Sequence, residues 1–344
     1  MPNSKFQILN GRRLLVAYHP SFLEHDAGPG HPECPERVEA ALAALEAALL
    51  ADCIMQVEAR QAEAAEIALV HNPRYIEAMR RLCAAGGQYM PQMEATVGPA
   101  SWDAALRAAG AGLTLADLIM QSAKCEMWSK EYEKNLNSKF KIPNPKLGFA
   151  PTRPPGHHAL TDRPMGFCIF NNIAILAKYL QIRYNLARLA IIDFDVHHGN
   201  GTEAVFWGDP SVFYVSLHRD NLFPYNKGRG DDCGAGAGVG FTLNIPLPAG
   251  VGDDIYLKAF DTQVVPRVND FAPQFMLVSA GFDAHISDPL GGMRLTTGGF
   301  RAIGERIRQM AEHSAEGRII SLLEGGYHLD GLRRAIMAYL GALI

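Results

Sequence analysis

Short apolar runs alternate along this chain with stretches in which apolar residues return every three or four positions. The runs Leu14–Tyr18, Leu189–Ile192, Val212–Leu217, Phe275–Ala280 and Arg318–Leu323 hold few polar residues and read as strands buried on both faces. Helical periodicity marks Pro35–Leu50, Pro73–Ala84, Ser101–Gln121, Asn172–Tyr184, Asp253–Asp270, Thr297–Ala311 and Leu329–Leu340. Strand and helix in repeated alternation predict βαβ units. The expected class is therefore α/β, with a mostly parallel central sheet covered by helices on both faces.

In such sheets chemistry gathers at the carboxyl ends of the strands. Four polar clusters fall there. Asp193-Phe-Asp195-Val-His197-His198 follows the run ending at Ile192, and Ser216-Leu217-His218 closes the run that begins at Val212. Gly281-Phe-Asp283 follows Ala280, and Glu324-Gly-Gly-Tyr327 follows Leu323. The four are expected to converge on one rim.

Composition narrows the class further. Of 344 residues 48% are hydrophobic and 20% charged, an ordinary globular balance. Proline and glycine are scattered rather than pooled, so residues 1–344 are expected to form a single catalytic domain. One polar segment interrupts the pattern. Lys124–Lys146 is rich in lysine and asparagine and leads into the short apolar run Leu147–Ala150. It reads as a solvated surface insertion, with a contact surface for another subunit or partner as the alternative. The net charge of −4 argues against nucleic acid as a main partner but leaves a cationic substrate open. Met1 to Leu15 shows no signal-peptide pattern. No apolar run is long enough to span a bilayer. The six widely spaced cysteines form no Cys-x-x-Cys pair, so free thiols and a cytoplasmic location are expected.

Asp195-x-His197 and the distant Asp283 supply two carboxylates and one imidazole. Three protein ligands leave a zinc ion an open position for water. The oxygen-rich set would also suit iron(II), manganese or cobalt. Taken alone, the Asp-x-His pair reads better as a strand-end ion pair or cap. His157-His158 lies in Arg153-Pro-Pro-Gly-His-His-Ala159, where the prolines and Gly156 stiffen and bend the approach. An imidazole beside a metal-activated water can accept its proton and later deliver it to a leaving amine. Asp193 and Asn200 are candidate orienting partners. An Asp partner favours imidazolium, whereas an Asn partner leaves its imidazole easier to deprotonate, which splits the two pKa values. Tyr327 is a candidate donor to a developing oxyanion; by itself it reads equally well as a core tyrosine after a Gly-Gly turn.

Together these motifs resemble the histone deacetylase and acetylpolyamine amidohydrolase superfamily, most strongly its bacterial class II-like amidohydrolases. The resemblance rests on His31-Pro-Glu-Cys-Pro-Glu-Arg37, Arg153–Ala159, Gly166-Phe-Cys-Ile-Phe-Asn-Asn172 and Asp193–Thr202. It continues through Ser279-Ala-Gly-Phe-Asp-Ala-His285, Asp288-Pro-Leu-Gly-Gly292 and Glu324–Tyr327, in the family's order over nearly the whole chain. It implies an arginase/deacetylase-type fold and hydrolysis of an N-acyl amide, with zinc on Asp195, His197 and Asp283. His158 would be the proton shuttle, His157 its electrostatic partner oriented by Asp193, and Tyr327 the carbonyl polariser. Phe167 and Phe223 would wall an acyl-lysine tunnel beside Gly166. Structural potassium is also implied. An inner site would use Asp193, Asp195, His197, Ser216 and Leu217, and a second Phe206, Asp209, Val212 and Phe241.

Specificity rests on two positions. Leu290 stands where the animal polyamine-selective branch has an acidic gatekeeper, which favours acyl-lysine over acetylpolyamine. The family's substrate-gripping Asp-Thr pair is replaced around Met93-Glu94-Ala95-Thr96. The expected alignment puts Ala95 at the acid position; Glu94 as a substitute, a register shifted by one, or an altered residue are the alternatives. An acetylpolyamine amidohydrolase, or an idle fold member that only binds acylated ligands, are the rival readings. Homo-oligomerisation stays open.

Overall fold

The computed structural model describes residues 13–47, 50–122 and 145–344. The polar insertion at 124–146 lies almost wholly outside the described residues. Eight strands build one sheet: β1 (Leu14–Tyr18), β2 (Ile54–Glu58), β5 (Leu147–Ala150), β6 (Leu189–Asp193), β7 (Val212–Arg219), β8 (Thr242–Leu247), β9 (Phe275–Ala280) and β10 (Ile319–Leu323). A separate antiparallel pair, β3 (Gln88–Met90) and β4 (Ala95–Val97), forms a small hairpin. The order in the main sheet is β2-β1-β5-β10-β9-β6-β7-β8, and every pairing is parallel. All eight strands therefore deliver their carboxyl ends to the same rim.

Each central strand is shared between two apolar layers. Ala190 and Ile192 of β6 face one layer, Leu189 and Ile191 the other, the period-two alternation of a pleated strand. Helices Thr297–Ser314 and Leu329–Leu343 close the first layer, and Ser101–Ser122 and Asn172–Tyr184 close the second. No helix among the described residues is long and apolar enough to cross a membrane.

The structure departs from the sequence expectations in places. The helix expected over Pro35–Leu50 runs only from Glu36 to Leu45. The one expected over Asp253–Asp270 is broken by a π-helical turn, Phe260–Val264, between Asp253–Ala259 and Val265–Phe271. Pro266 explains the break: it has no N–H to donate to Thr262, and its ring crowds that carbonyl. The strands Ile54–Glu58 and Thr242–Leu247 were not expected. Both lie at sheet edges. β2 is partly exposed throughout, whereas β8 is buried but carries the polar Thr242 and Asn244 and Pro246, which interrupt an apolar run and which an outermost strand tolerates.

Candidate active site

The site is assembled where β5, β6, β7, β9 and β10 end. Asp193 is the last residue of β6, and its register partners are Ser216 on β7 and Ser279 on β9. The chain beyond Asp193 turns so that Asp195 and His197 reach the same point as Asp283 from the loop after β9. His197 Nδ1 lies 3.1 Å from Asp195 Oδ1 and 3.0 Å from Asp283 Oδ2. The opposite oxygens are held by backbone: Gly325 N–H donates to Asp195 Oδ2 at 2.7 Å, and Val196 N–H to Asp283 Oδ1 at 2.8 Å. Two carboxylate oxygens and one ring nitrogen are thus turned towards a common centre. Their ligand atoms lie within 4.8 Å of one another, the one such group among the described residues.

Close backbone approach requires glycine here. A Cβ on Gly325 would sit 2.1 Å from Asp283 Oδ2, and one on Gly281 2.0 Å from Asp195 Oδ2. Both carboxylates are fully buried. Burial opposes ionisation of Asp195, but His157 and His197 outweigh it and hold its carboxyl well below the usual range. Burial, then the charge of Asp195, pushes Asp283 up to about 7. Burial also disfavours charging His197, yet the two carboxylates raise it to about 10. Two buried carboxylates this close resist joint ionisation unless a cation sits between them. The donor set therefore fits a divalent metal.

Beside this centre the two adjacent imidazoles have different partners. His157 Nδ1 lies 3.0 Å from Asp193 Oδ2, and His158 Nδ1 2.8 Å from Asn200 Oδ1. Their rings are 4.0 Å apart between centroids. Burial works against charging His157, but Asp193, Asp195 and Glu324 raise it to about 10. Burial, then the positive charge of His157 and His197, lowers His158 well below the usual imidazole range. Asn200 Oδ1 can only accept, and its amide nitrogen points at Met165 Sδ, 3.4 Å away. His158 Nδ1 therefore carries the proton and leaves Nε2 with a free lone pair.

The aromatic residues stand around this pair. Phe223 meets the His158 ring edge-on at 5.0 Å, and Phe167 meets Tyr327 edge-on at 6.1 Å. A Cβ on Gly166 would lie 2.5 Å from His158 Cδ2 and 2.8 Å from Phe223 Cε1, so only glycine lets this wall close in. Tyr327 is placed by two contacts. Its N–H donates to Asp288 Oδ2 at 2.7 Å, and the Arg37 guanidinium lies 5.0 Å from its ring centroid. Asp288 Oδ1 in turn accepts from the N–H groups of Leu290 and Gly291, so the loop tip carrying the exposed Leu290 is tied to Tyr327.

Arg37 also reaches the carbonyls of Gly326 and Glu324. Glu33 Oε1 accepts from Arg37 Nη1 at 3.0 Å and from Arg153 Nε at 2.8 Å. This buried cluster locks the loops bearing Glu33, Arg153 and Tyr327 to one another, and breaking it would leave buried charges unpaired. Arg37, Asp288 and Glu324 stand within the sequence motifs, where their positions alone assign them no task. For Asp288 and Glu324 the available signal was an acid in a glycine-rich loop following a strand; Arg37, at the start of the helix Glu36–Leu45, gave none.

At the rim Ala95 and Glu94 face different ways. The Ala95 side chain is 1% exposed within β4, so it cannot meet a ligand outside. Glu94 is exposed and lines an open cavity of about 640 Å³ with Phe167, His31 and Tyr89. The hairpin turn is stapled to the aromatic wall, because Gly166 N–H donates to Met93 O and Phe167 N–H to Glu94 O, each at 2.9 Å.

The inner potassium set, Asp193, Asp195, His197, Ser216 and Leu217, falls on the adjoining ends of β6 and β7. The second set, Phe206, Asp209, Val212 and Phe241, lies towards the opposite end of β7. Asp209 is already paired with Lys178 at 2.6 Å, so a cation there would rest on backbone carbonyls.

A family model described as the histone deacetylase domain matches residues 31–343. This chain belongs to the histone deacetylase family. The protein named Histone deacetylase 10, chloroplastic, from Oryza sativa subsp. japonica is 40% identical over 318 residues, covering 89% of this chain and 68% of that protein. The Histone deacetylase-like amidohydrolase of Pseudomonas aeruginosa is 35% identical over 306 residues, covering 89% and 75%. Among solved structures, the HD domain of HDA15 superposes with a TM-score of 0.83 at 31% identity, over 97% of this chain and 88% of that one. The parallel sheet with its rim of motifs is thus the deacetylase-type fold that the sequence predicted.

Proposed function

We propose that this family member is a zinc-dependent amidohydrolase that removes the acyl group from acyl-lysine, working as a single catalytic domain in the cytoplasm. The observation that carries the reading is the divided histidine pair, His157 bonded to the carboxylate of Asp193 and His158 to the amide oxygen of Asn200, beside a three-ligand metal set. Asp195, His197 and Asp283 would hold zinc, which supplies Lewis acidity towards water and the scissile carbonyl. His158 Nε2 takes the proton of the attacking water and returns it to the departing amine nitrogen. His157, charged by Asp193, stabilises negative charge as it develops. Tyr327 donates its hydroxyl to the carbonyl oxygen as that atom becomes an oxyanion. Phe167 and Phe223 pack the methylene chain of lysine and exclude water, which strengthens each of these interactions. Potassium in the inner set would balance the buried Asp193.

Leu290 offers no anion to a second ammonium, which favours lysine over a free polyamine. The test is kcat/KM on an acetyl-lysine peptide and on N-acetylputrescine, side by side, before and after chelation. Peptide preference that disappears with chelator and returns with zinc is the expected result. Polyamine preference would move the assignment to acetylpolyamine hydrolysis, and inactivity on both would leave a binding role. Restoration by iron(II), manganese or cobalt in place of zinc would reassign the metal.

Glu94 is an exposed carboxylate lining the cavity beside Phe167, placed to accept substrate backbone N–H groups. Glu94→Ala is expected to raise KM for the peptide about tenfold, or ~1.4 kcal/mol, the scale of one exposed charge-assisted hydrogen bond. Unchanged KM would remove Glu94 from substrate binding.

A further inference from the structure

The least explained group near the site is Glu324, the first residue after β10. Its side chain is fully buried, yet among the described residues no guanidinium or ammonium pairs with its carboxylate. Oε2 accepts from the backbone N–H of Gly156 at 2.7 Å and of His157 at 3.2 Å. Oε1 has no hydrogen-bond partner among the described residues. Burial pushes the carboxyl up to about 7. An acid left this way disfavours the folded state, so a purely structural account of it is poor.

The contacts suggest what it does. The carbonyl of His157 is fixed by the N–H groups of Gly201 and Thr202, each at 3.1 Å. Its own N–H and that of Gly156 are fixed by Glu324 alone. The peptide groups on both sides of His157 are therefore clamped, one by the helix that begins at Asn200 and one by Glu324. The same helix start carries Asn200, the partner of His158. The backbone of Glu324 is anchored in turn, since its N–H donates to Ala280 O at 3.0 Å and its carbonyl accepts from Arg37. Next along the chain, Gly325 N–H holds Asp195.

We propose that Glu324 is a positioning residue for the hydrolytic reaction: its carboxylate grips the Gly156 and His157 amides and so fixes both imidazoles relative to Asp195. It touches no reacting atom. The inference rests on the function proposed above and goes beyond it by giving the acid of the Glu-Gly-Gly-Tyr motif a task. Because the grip uses hydrogen-bond acceptance, an amide oxygen can replace the carboxylate, whereas a shortened or missing side chain cannot.

The experiment compares Glu324→Gln, Glu324→Ala and Glu324→Asp with the parent, in metal-loaded full-length protein on an acetyl-lysine peptide. Kinetics are joined by metal content and the backbone amide proton shifts of Gly156 and His157. Glu324→Ala is expected to lower kcat about a hundredfold with KM within a few-fold and metal retained, and Glu324→Gln to recover activity to within about tenfold of the parent. If Glu324→Ala does not fold, Glu324→Asp carries the test, because it keeps the charge but withdraws it from both amides and should show the same loss. A folded Ala or Asp variant with parent kcat overturns the proposal. So does a Gln variant as impaired as a folded Ala variant. The two amide signals should move in Ala and Asp far more than in Gln. They do so whether or not the parent turns over, so an inactive parent defeats the assigned reaction while the amide shifts still decide the positioning role.

Discussion

His158→Ala is expected to lower kcat on an acetyl-lysine peptide by about 10² to 10⁴-fold, the range for losing a positioned general acid–base, with metal content unchanged. The imidazole is suited to the task because its environment keeps it neutral. Burial and the nearby positive charge of His157 and His197 hold it below the usual range, while Asn200 fixes the proton on Nδ1. None of the three metal ligands depends on His158 for its hydrogen bonds, so the variant should load metal as the parent does. Metal analysis beside steady-state kinetics checks this. Near-parent turnover would take the proton-transfer role away from His158, and loss of metal would make its role structural.

Tyr327→Phe should cost about 10² to 10³-fold in kcat, as for removal of one oxyanion donor, with KM little changed. The substitution deletes one hydroxyl and leaves the ring contacts to Phe167 and Arg37 in place. The Tyr327 N–H would still hold Asp288, so the Leu290 loop should keep its position and thermal stability should match the parent. Burial drives the phenol well above its ordinary value of 10, so it stays a donor at neutral pH. Parent-like kcat in the Phe variant would reduce Tyr327 to a wall of the pocket. A raised KM with normal kcat would make it a ground-state binder.

These two residues come from different strand ends and share no hydrogen bond, yet both depend on the turn Glu324–Gly326. Glu324 holds the histidine loop, Gly325 holds Asp195, and Gly326 O receives Arg37, whose guanidinium also faces Tyr327. Substitutions in this turn are therefore expected to be non-additive with those at His158 and Tyr327.

The sequence by itself determined the architecture and the cast of the site. Fully buried parallel strands leave continuous apolar runs, and the motifs that end them are local in sequence, so β6, β7, β9 and β10 and their polar ends were legible. The edge strands β2 and β8 were not: β2 is partly exposed along its whole length, and the buried β8 is interrupted by Thr242, Asn244 and Pro246. The π turn at Phe260–Val264 was hidden because periodicity alone does not register the proline's missing donor. The tertiary structure alone decided how the polar ends are used. Nothing local to Glu324 says that its carboxylate lies beneath the amides of Gly156 and His157, some 168 and 167 positions away. The resemblance supplied the pairing of Asp193 with His157, but no spacing assigned Asn200 to His158 or showed that Ala95 faces inward and Glu94 outward. Hydrogen-bond partners and burial are set by which loops meet at a rim, and that depends on strand order in space rather than on order along the chain.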